Sequence, residues 1–135
     1  MTTQANDTTG FKRAEIQVWV SKADGKPEAA TVPAMVKDGI AVHRNVAVFR
    51  DGEPLRFGKM WAVTHAASGL AYLKFTSLNA SKAFASRLPS LGIPGLDGLK
   101  IGENPKWTKK QMQELREAVR NLATQCTDEY GGTYS

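Results

Sequence analysis

The chain has 135 residues, 41% hydrophobic and 23% charged, with a formal net charge of +5 and one cysteine, Cys126. That length suits one globular domain with a sizeable core. No apolar run approaches the roughly 18 residues of a membrane span, one cysteine excludes an internal disulfide, and Met1–Asp7 lacks the regions of a secretory signal, so an intracellular, cytoplasmic location is expected.

Charge placement is more informative than net charge. Residues 37–87 hold eight Lys and Arg against three Asp and Glu, while the rest of the chain balances ten against ten. Between Pro54 and Leu96 stand Arg56, Lys59, Lys74, Lys82 and Arg87 with no acidic residue. A field of one sign favours an anionic partner, nucleic acid (DNA above all) or an acidic protein surface. The plain alternative is a basic surface that keeps the protein soluble.

Taken in order, residues 1–10 are polar and read as a disordered tail, 11–128 as a single domain, and 129–135 as a loose tail. Residues 14–20 alternate, with Ile16, Val18 and Val20 on one face and Trp19 on the other, which predicts a strand. Gly25, Pro27 and Pro33 mark 21–33 as a loop. Residues 39–50 read as one strand, or two broken at Arg44-Asn45, and Asp51-Gly-Glu-Pro54 as a turn. Leu55–Phe57 reads as a short strand leading through Gly58 into the next element.

That element is a β-hairpin, 60–65 and 70–75, turning at Ser68-Gly69. Pairing His65 with Leu70 puts Trp61, Val63, His65, Leu70, Tyr72 and Lys74 on one face. Met60, Ala62, Thr64, Ala71, Leu73 and Phe75 fall on the other. A slip by one residue would exchange one strand's set. A helix over 78–89 follows, with Thr76, Ser77 and Asn79 as candidate caps and Ala80, Phe84, Leu88 and Leu91 as its apolar stripe. Pro89 ends its regular part near Leu88. The stripe is expected on the Met60, Ala62, Leu73 and Phe75 face, which leaves Trp61 and Tyr72 for a partner or another element.

Residues 92–106 read as a glycine- and proline-rich linker with apolar pins. Its glycines follow no strand and precede no Gly-Lys-Ser/Thr, so a phosphate-cradling loop is not expected. Thr108 and Gln111 fit a capping box opening a helix over 109–125. Its buried stripe is Met112, Leu115, Val119, Leu122 and Cys126, with Lys109, Arg116 and Arg120 on an adjacent face. The predicted class is α+β: an antiparallel sheet of three to five strands over about 14–75, followed by two helices.

Chemistry is sparse. His43 and His65 lie on separate predicted strands, and Cys126 lies on an apolar helix stripe, so neither a metal site nor a Cys–His nucleophile is expected. No cofactor is implied. His65 and Ser68 form local turn chemistry without a nearby carboxylate, which argues against acid–base catalysis. Candidate binding residues are Arg56, Lys59, Trp61, His65, Tyr72 and Lys74 as a stacking platform with flanking cations, and Lys109, Arg116 and Arg120 on the last helix. Each has a structural alternative: aromatics on a strand are often core, and a basic helix face is often only solvated.

The residues Trp61-Ala-Val-Thr-His65, Ser68-Gly-Leu70, Phe75-Thr-Ser-Leu78 and Ala83-Phe-Ala85 resemble a pattern in small uncharacterised proteins of phages, plasmids and integrating elements. There a W-x-V-T-H-x-x-S/T-G hairpin precedes an F-x-S/T-L-x-x-A helix; Ala41-Val-His-Arg44 is similar to a segment that precedes it. The resemblance implies a non-enzymatic mobile-element accessory protein and names no ligand. The expected function is nucleic-acid binding through the hairpin surface. The alternative is a protein–protein module or inhibitor docking on a host or element-encoded partner. The sequence leaves the oligomeric state open, a homodimer included.

Overall fold

The computed structural model describes residues 7–47 and 49–135. Five antiparallel strands run β1 (Lys12–Ser21), β2 (Pro27–Lys37), β3 (Ile40–Val46), β4 (Phe57–His65) and β5 (Leu70–Phe75), adjacent in that order. Helix α1 (Leu78–Arg87) continues into a 3-10 turn (Leu88–Leu91), and α2 (Lys109–Tyr130) closes the fold. This is the α+β arrangement that the alternation and helical stripes predict.

Most of the expected loop at 21–33 is strand. β2 pairs with β1 over all but its last residue, from Ser21↔Pro27 to Lys12↔Val36, but with β3 only from Met35↔Val42 to Lys37↔Ile40. Pro33 lies beyond that short contact, so its missing N–H costs no ladder bond to β3. The two strands meet in a two-residue turn at Asp38 and Gly39, both with positive φ, the conformation for which Asp-Gly is favoured.

Released from β3, the β1–β2 arm folds over the sheet face remote from the helices. β1 runs so close to the hairpin tip that a Cβ on Gly69 would lie 3.0 Å from the Gln17 carbonyl and 2.5 Å from Ile101 Cδ1. Gly69 has φ +75°, so the turn and the contact both call for glycine. The arm buries Val18 and Val32 on one side and Ala41, His43, Ala62 and Thr64 on the other. A second small core results.

The hairpin faces differ from expectation. His65 pairs with Leu70, but a bulge between Thr64↔Ala71 and Val63↔Leu73 leaves Tyr72 unmatched. An extra residue moves the rest of a strand by one register step. Trp61 and Val63 therefore share the helix-bearing face with Leu73 and Phe75, and Ala62 and Thr64 face the arm. The expectation that Trp61 and Tyr72 lie opposite the helices is corrected: both sit against the helical core.

That core joins Ile40, Val42, Val63 and Phe75 of the sheet to Ala80, Phe84 and Leu88, and to Leu122 and Cys126 of α2. The Phe75 and Phe84 rings lie 5.1 Å apart. Ser77 caps α1 by accepting from the Ala80 N–H, and Pro89 ends its regular part as expected. The Thr108–Gln111 capping box opens α2, which runs five residues beyond the expected end at 125.

The described parts of both expected tails make contacts with the body of the fold. Residues 1–6 lie outside the described residues, but Asp7 is buried and its carboxylate accepts from Arg87 Nη2 at 2.6 Å. Arg87 also pairs with Glu129, so one guanidinium joins the N-terminal segment, α1 and the end of α2. The end of the chain is equally tied. Ser135 exchanges backbone bonds with Lys74, both at 3.0 Å, and the Tyr134 ring lies 6.1 Å from that of Phe75.

Candidate nucleic-acid interface

The helices do not cover the whole of their sheet face. Two pairs beyond Val42↔Val63, Arg44 lies opposite Trp61, and here an open groove of about 570 Å³ begins. It is lined by Arg13 and Glu15 of β1, Pro33 and Met35 of β2, Arg44 of β3, and Phe57 and Trp61 of β4, with no residue of either helix.

Local irregularity builds this end of the sheet. The register jumps between Arg44↔Trp61 and Val46↔Phe57. The Asn45 side chain fills the gap, its Oδ1 accepting from the Met60 N–H at 3.2 Å. A Cβ on Gly58 would come within 2.5 Å of that oxygen, so any larger residue there would displace the Asn45 side chain from the gap. Phe57 remains 45% exposed.

The guanidinium of Arg44 lies 4.2 Å from the centroid of the Trp61 ring, and its Nη1 donates to the Lys59 carbonyl at 3.0 Å. A cation over an indole face is held by the ring quadrupole, worth about 0.5–1 kcal/mol at exposed sites. The result is a layered, cationic plate at the groove wall. Bases stack on aromatic rings and on arginine planes alike.

The nine sequence-predicted residues do not form one surface. Arg56, Lys59 and Trp61 lie at this end of β4; Arg56 and Lys59 are exposed, and Arg56 is 3.9 Å from Glu53. His65, Tyr72, Arg116 and Arg120 line a different cleft, between β5, the linker and α2. Lys74 lines a third cavity, beneath the arm, with Val18, His43 and Thr64. Lys109 is exposed at the first turn of α2.

Nor does the acid-free stretch survive as a patch. Arg87 is matched by Asp7 and Glu129, and the Lys82 ammonium sits 5.7 Å from the centroid of the Phe11 ring. Sequence reasoning missed Arg13, Arg44 and Phe57. The only available signal was the opposition of Arg44 and Trp61, which needs the β3–β4 register.

The histidines point to opposite faces. The fully buried Ser68 hydroxyl is 2.7 Å from His65 Nδ1 and accepts from the Leu70 N–H at 3.3 Å, so it holds the turn and is closed to substrate. Desolvation lowers the His65 pKa, against an opposing contribution from Asp97, which makes no hydrogen bond to it. Cys126 is buried among apolar side chains, and desolvation pushes its thiol up to about 11, far from a reactive thiolate.

His43 is buried beneath the arm. Its Nδ1–H donates to the Arg44 carbonyl at 2.8 Å, leaving Nε2 to accept from the Thr64 hydroxyl at 2.8 Å, the arrangement of a neutral ring. Desolvation lowers its pKa below 6.5, so the unfolded chain binds a proton that the folded state resists. Stability from this group is complete above about pH 6.5 and falls as pH drops toward the lowered value. Melting temperature should therefore decline between pH 7 and 5, and His43→Gln should flatten that decline. An unchanged slope in the variant would remove His43 from the account.

Comparison of the chain with protein-family models, with curated proteins and with solved structures returned no match.

Proposed function

We propose that the protein is a small non-enzymatic accessory protein that binds single-stranded nucleic acid along the groove at Trp61, in keeping with the resemblance to mobile-element proteins. The observation that carries this reading is the Arg44–Trp61 plate, set between Arg13 and the exposed Phe57 on a sheet face the helices leave open. Phosphates would meet Arg13, Arg44 and Lys59, and bases would stack on the plate and enter the apolar groove. Glu15 is the one acid lining it. A groove of stacking surfaces suits splayed bases better than a closed duplex.

The test is a titration of labelled single- and double-stranded oligonucleotides at about 50 and 200 mM salt, since counterion release makes such binding fall with salt. Single strands should bind more tightly. If three cations engage phosphates, the slope of log K against log salt should be about −2, from roughly −0.7 per contact. Arg44→Gln should weaken binding and reduce that slope by about one contact. Trp61→Ala should cost about 1–3 kcal/mol of affinity. Absence of binding at low salt overturns the reading and would turn attention to an acidic protein partner for the same cations.

A further inference from the structure

The cleft that gathers His65, Tyr72, Arg116 and Arg120 lies on the same sheet face, beyond the helical core from the Trp61 groove, and nothing in the proposed function uses it. We propose that it is a binding site for an amphipathic organic anion: a medium-chain or aromatic body seated in the cleft, with its acid group on Arg116 and Arg120.

The cleft measures about 520 Å³, within the roughly 300–1,000 Å³ of pockets that hold small ligands. Its apolar lining comes from three elements, among them Leu73 of β5, Ile93 and Trp107 of the linker, and Val119 of α2. Trp107 is set in place, its Nε1–H donating to the Pro94 carbonyl at 2.7 Å, so the wall is formed before any ligand arrives.

The polarity of the rim selects the ligand's charge. Arg116 and Arg120 stand four residues apart, hence on one side of α2, and both line the cleft. Both are exposed, and neither guanidinium makes a hydrogen bond or ion pair to any described residue. Glu117, on the adjoining helix surface with both arginines, pairs with neither. No Asp or Glu lines the cleft itself. Planar guanidinium forks match carboxylate and phosphate oxygens. The Tyr72 hydroxyl, a phenol protonated at neutral pH and pushed further up to about 12 by burial, can donate to an oxyanion.

The experiment is calorimetric titration of the whole protein with decanoate, decyl phosphate and decanol. At least one of the two acids should bind about tenfold or more tightly than the alcohol. The Arg116→Gln/Arg120→Gln variant should bind acid and alcohol alike, while its ligand-free melting temperature stays at the wild-type value, because both side chains are exposed. Arg44→Gln, altered only in the other groove, should bind the acids as the wild type does. The proposal is overturned if decanol binds as well as both acids, if neither acid binds, if the double variant keeps the preference, or if Arg44→Gln loses it.

Discussion

Replacing Phe75 by alanine is expected to destabilise the protein by about 3–5 kcal/mol in urea denaturation, a large share of the roughly 5–15 kcal/mol that holds a typical domain together. The side chain is fully buried and touches three parts of the chain at once. Its ring lies against Phe84 of α1, its backbone bridges to Tyr134, and it pairs with Trp61 across the hairpin. Alanine would leave a cavity that neither sheet nor helix can close, because the second ring at that junction, Phe84, is itself fully buried and fixed on α1. Amide exchange at Thr133–Ser135 should quicken in the variant, since the tail loses its anchor. Tyr72→Ala should cost less, because Tyr72 keeps part of its surface in solvent. A loss below about 1 kcal/mol for Phe75→Ala would contradict the packing described.

Arg87→Met is the second large effect, expected to cost about 3 kcal/mol, the low end for breaking a buried pair because both partners keep some solvent contact. The side chains of Arg87 and Asp7 are only 20% and 10% exposed. Removing the cation leaves Asp7 buried beside Glu129 and the Tyr130 hydroxyl without the guanidinium that neutralised it. Much of the loss comes from that stranded carboxylate. Asp7→Asn in the Arg87→Met background should therefore recover part of it, a non-additivity that denaturation of the two single variants and the double would measure. Glu129, 45% exposed, should contribute less than about 1 kcal/mol when changed to glutamine. Additive losses would mean that the pair is not coupled.

The elements legible in the sequence were those whose signals are local. Period-2 alternation at 14–20, the Ser68-Gly69 turn, the Ala80–Phe84–Leu88 stripe and the Thr108–Gln111 box each specify structure from a few adjacent residues. β2 was missed because Pro27 and Pro33 read as loop, although β2 leaves β3 early enough to tolerate them. Asp38-Gly39 was the overlooked signal, a turn dipeptide placed between two apolar runs.

The hairpin faces failed for a different reason. Strand alternation predicts them only if no residue is added, and nothing in Leu70-Ala-Tyr-Leu-Lys-Phe75 marks Tyr72 as the extra one. That single bulge decides that Phe75 shares its face with Trp61 rather than with Ala62. The candidate groove then depends on long-range facts: the β3–β4 register that sets Arg44 over Trp61, and the β1–β2 arm that brings Arg13 beside them. The cations of the acid-free stretch do not gather into one patch, because they lie at separate places on the fold or are already matched.

The most direct test of the Trp61 groove uses the indole as its own reporter. In a Trp19→Phe/Trp107→Phe variant Trp61 is the sole tryptophan, and its emission can be followed during titration with an oligothymidine. Stacking of a base on the Arg44–Trp61 plate predicts saturable quenching that weakens as salt rises and needs more oligothymidine to reach saturation in Arg44→Gln. Emission that stays constant while a labelled strand is bound would place the nucleic acid elsewhere on the protein and contradict the groove as its site.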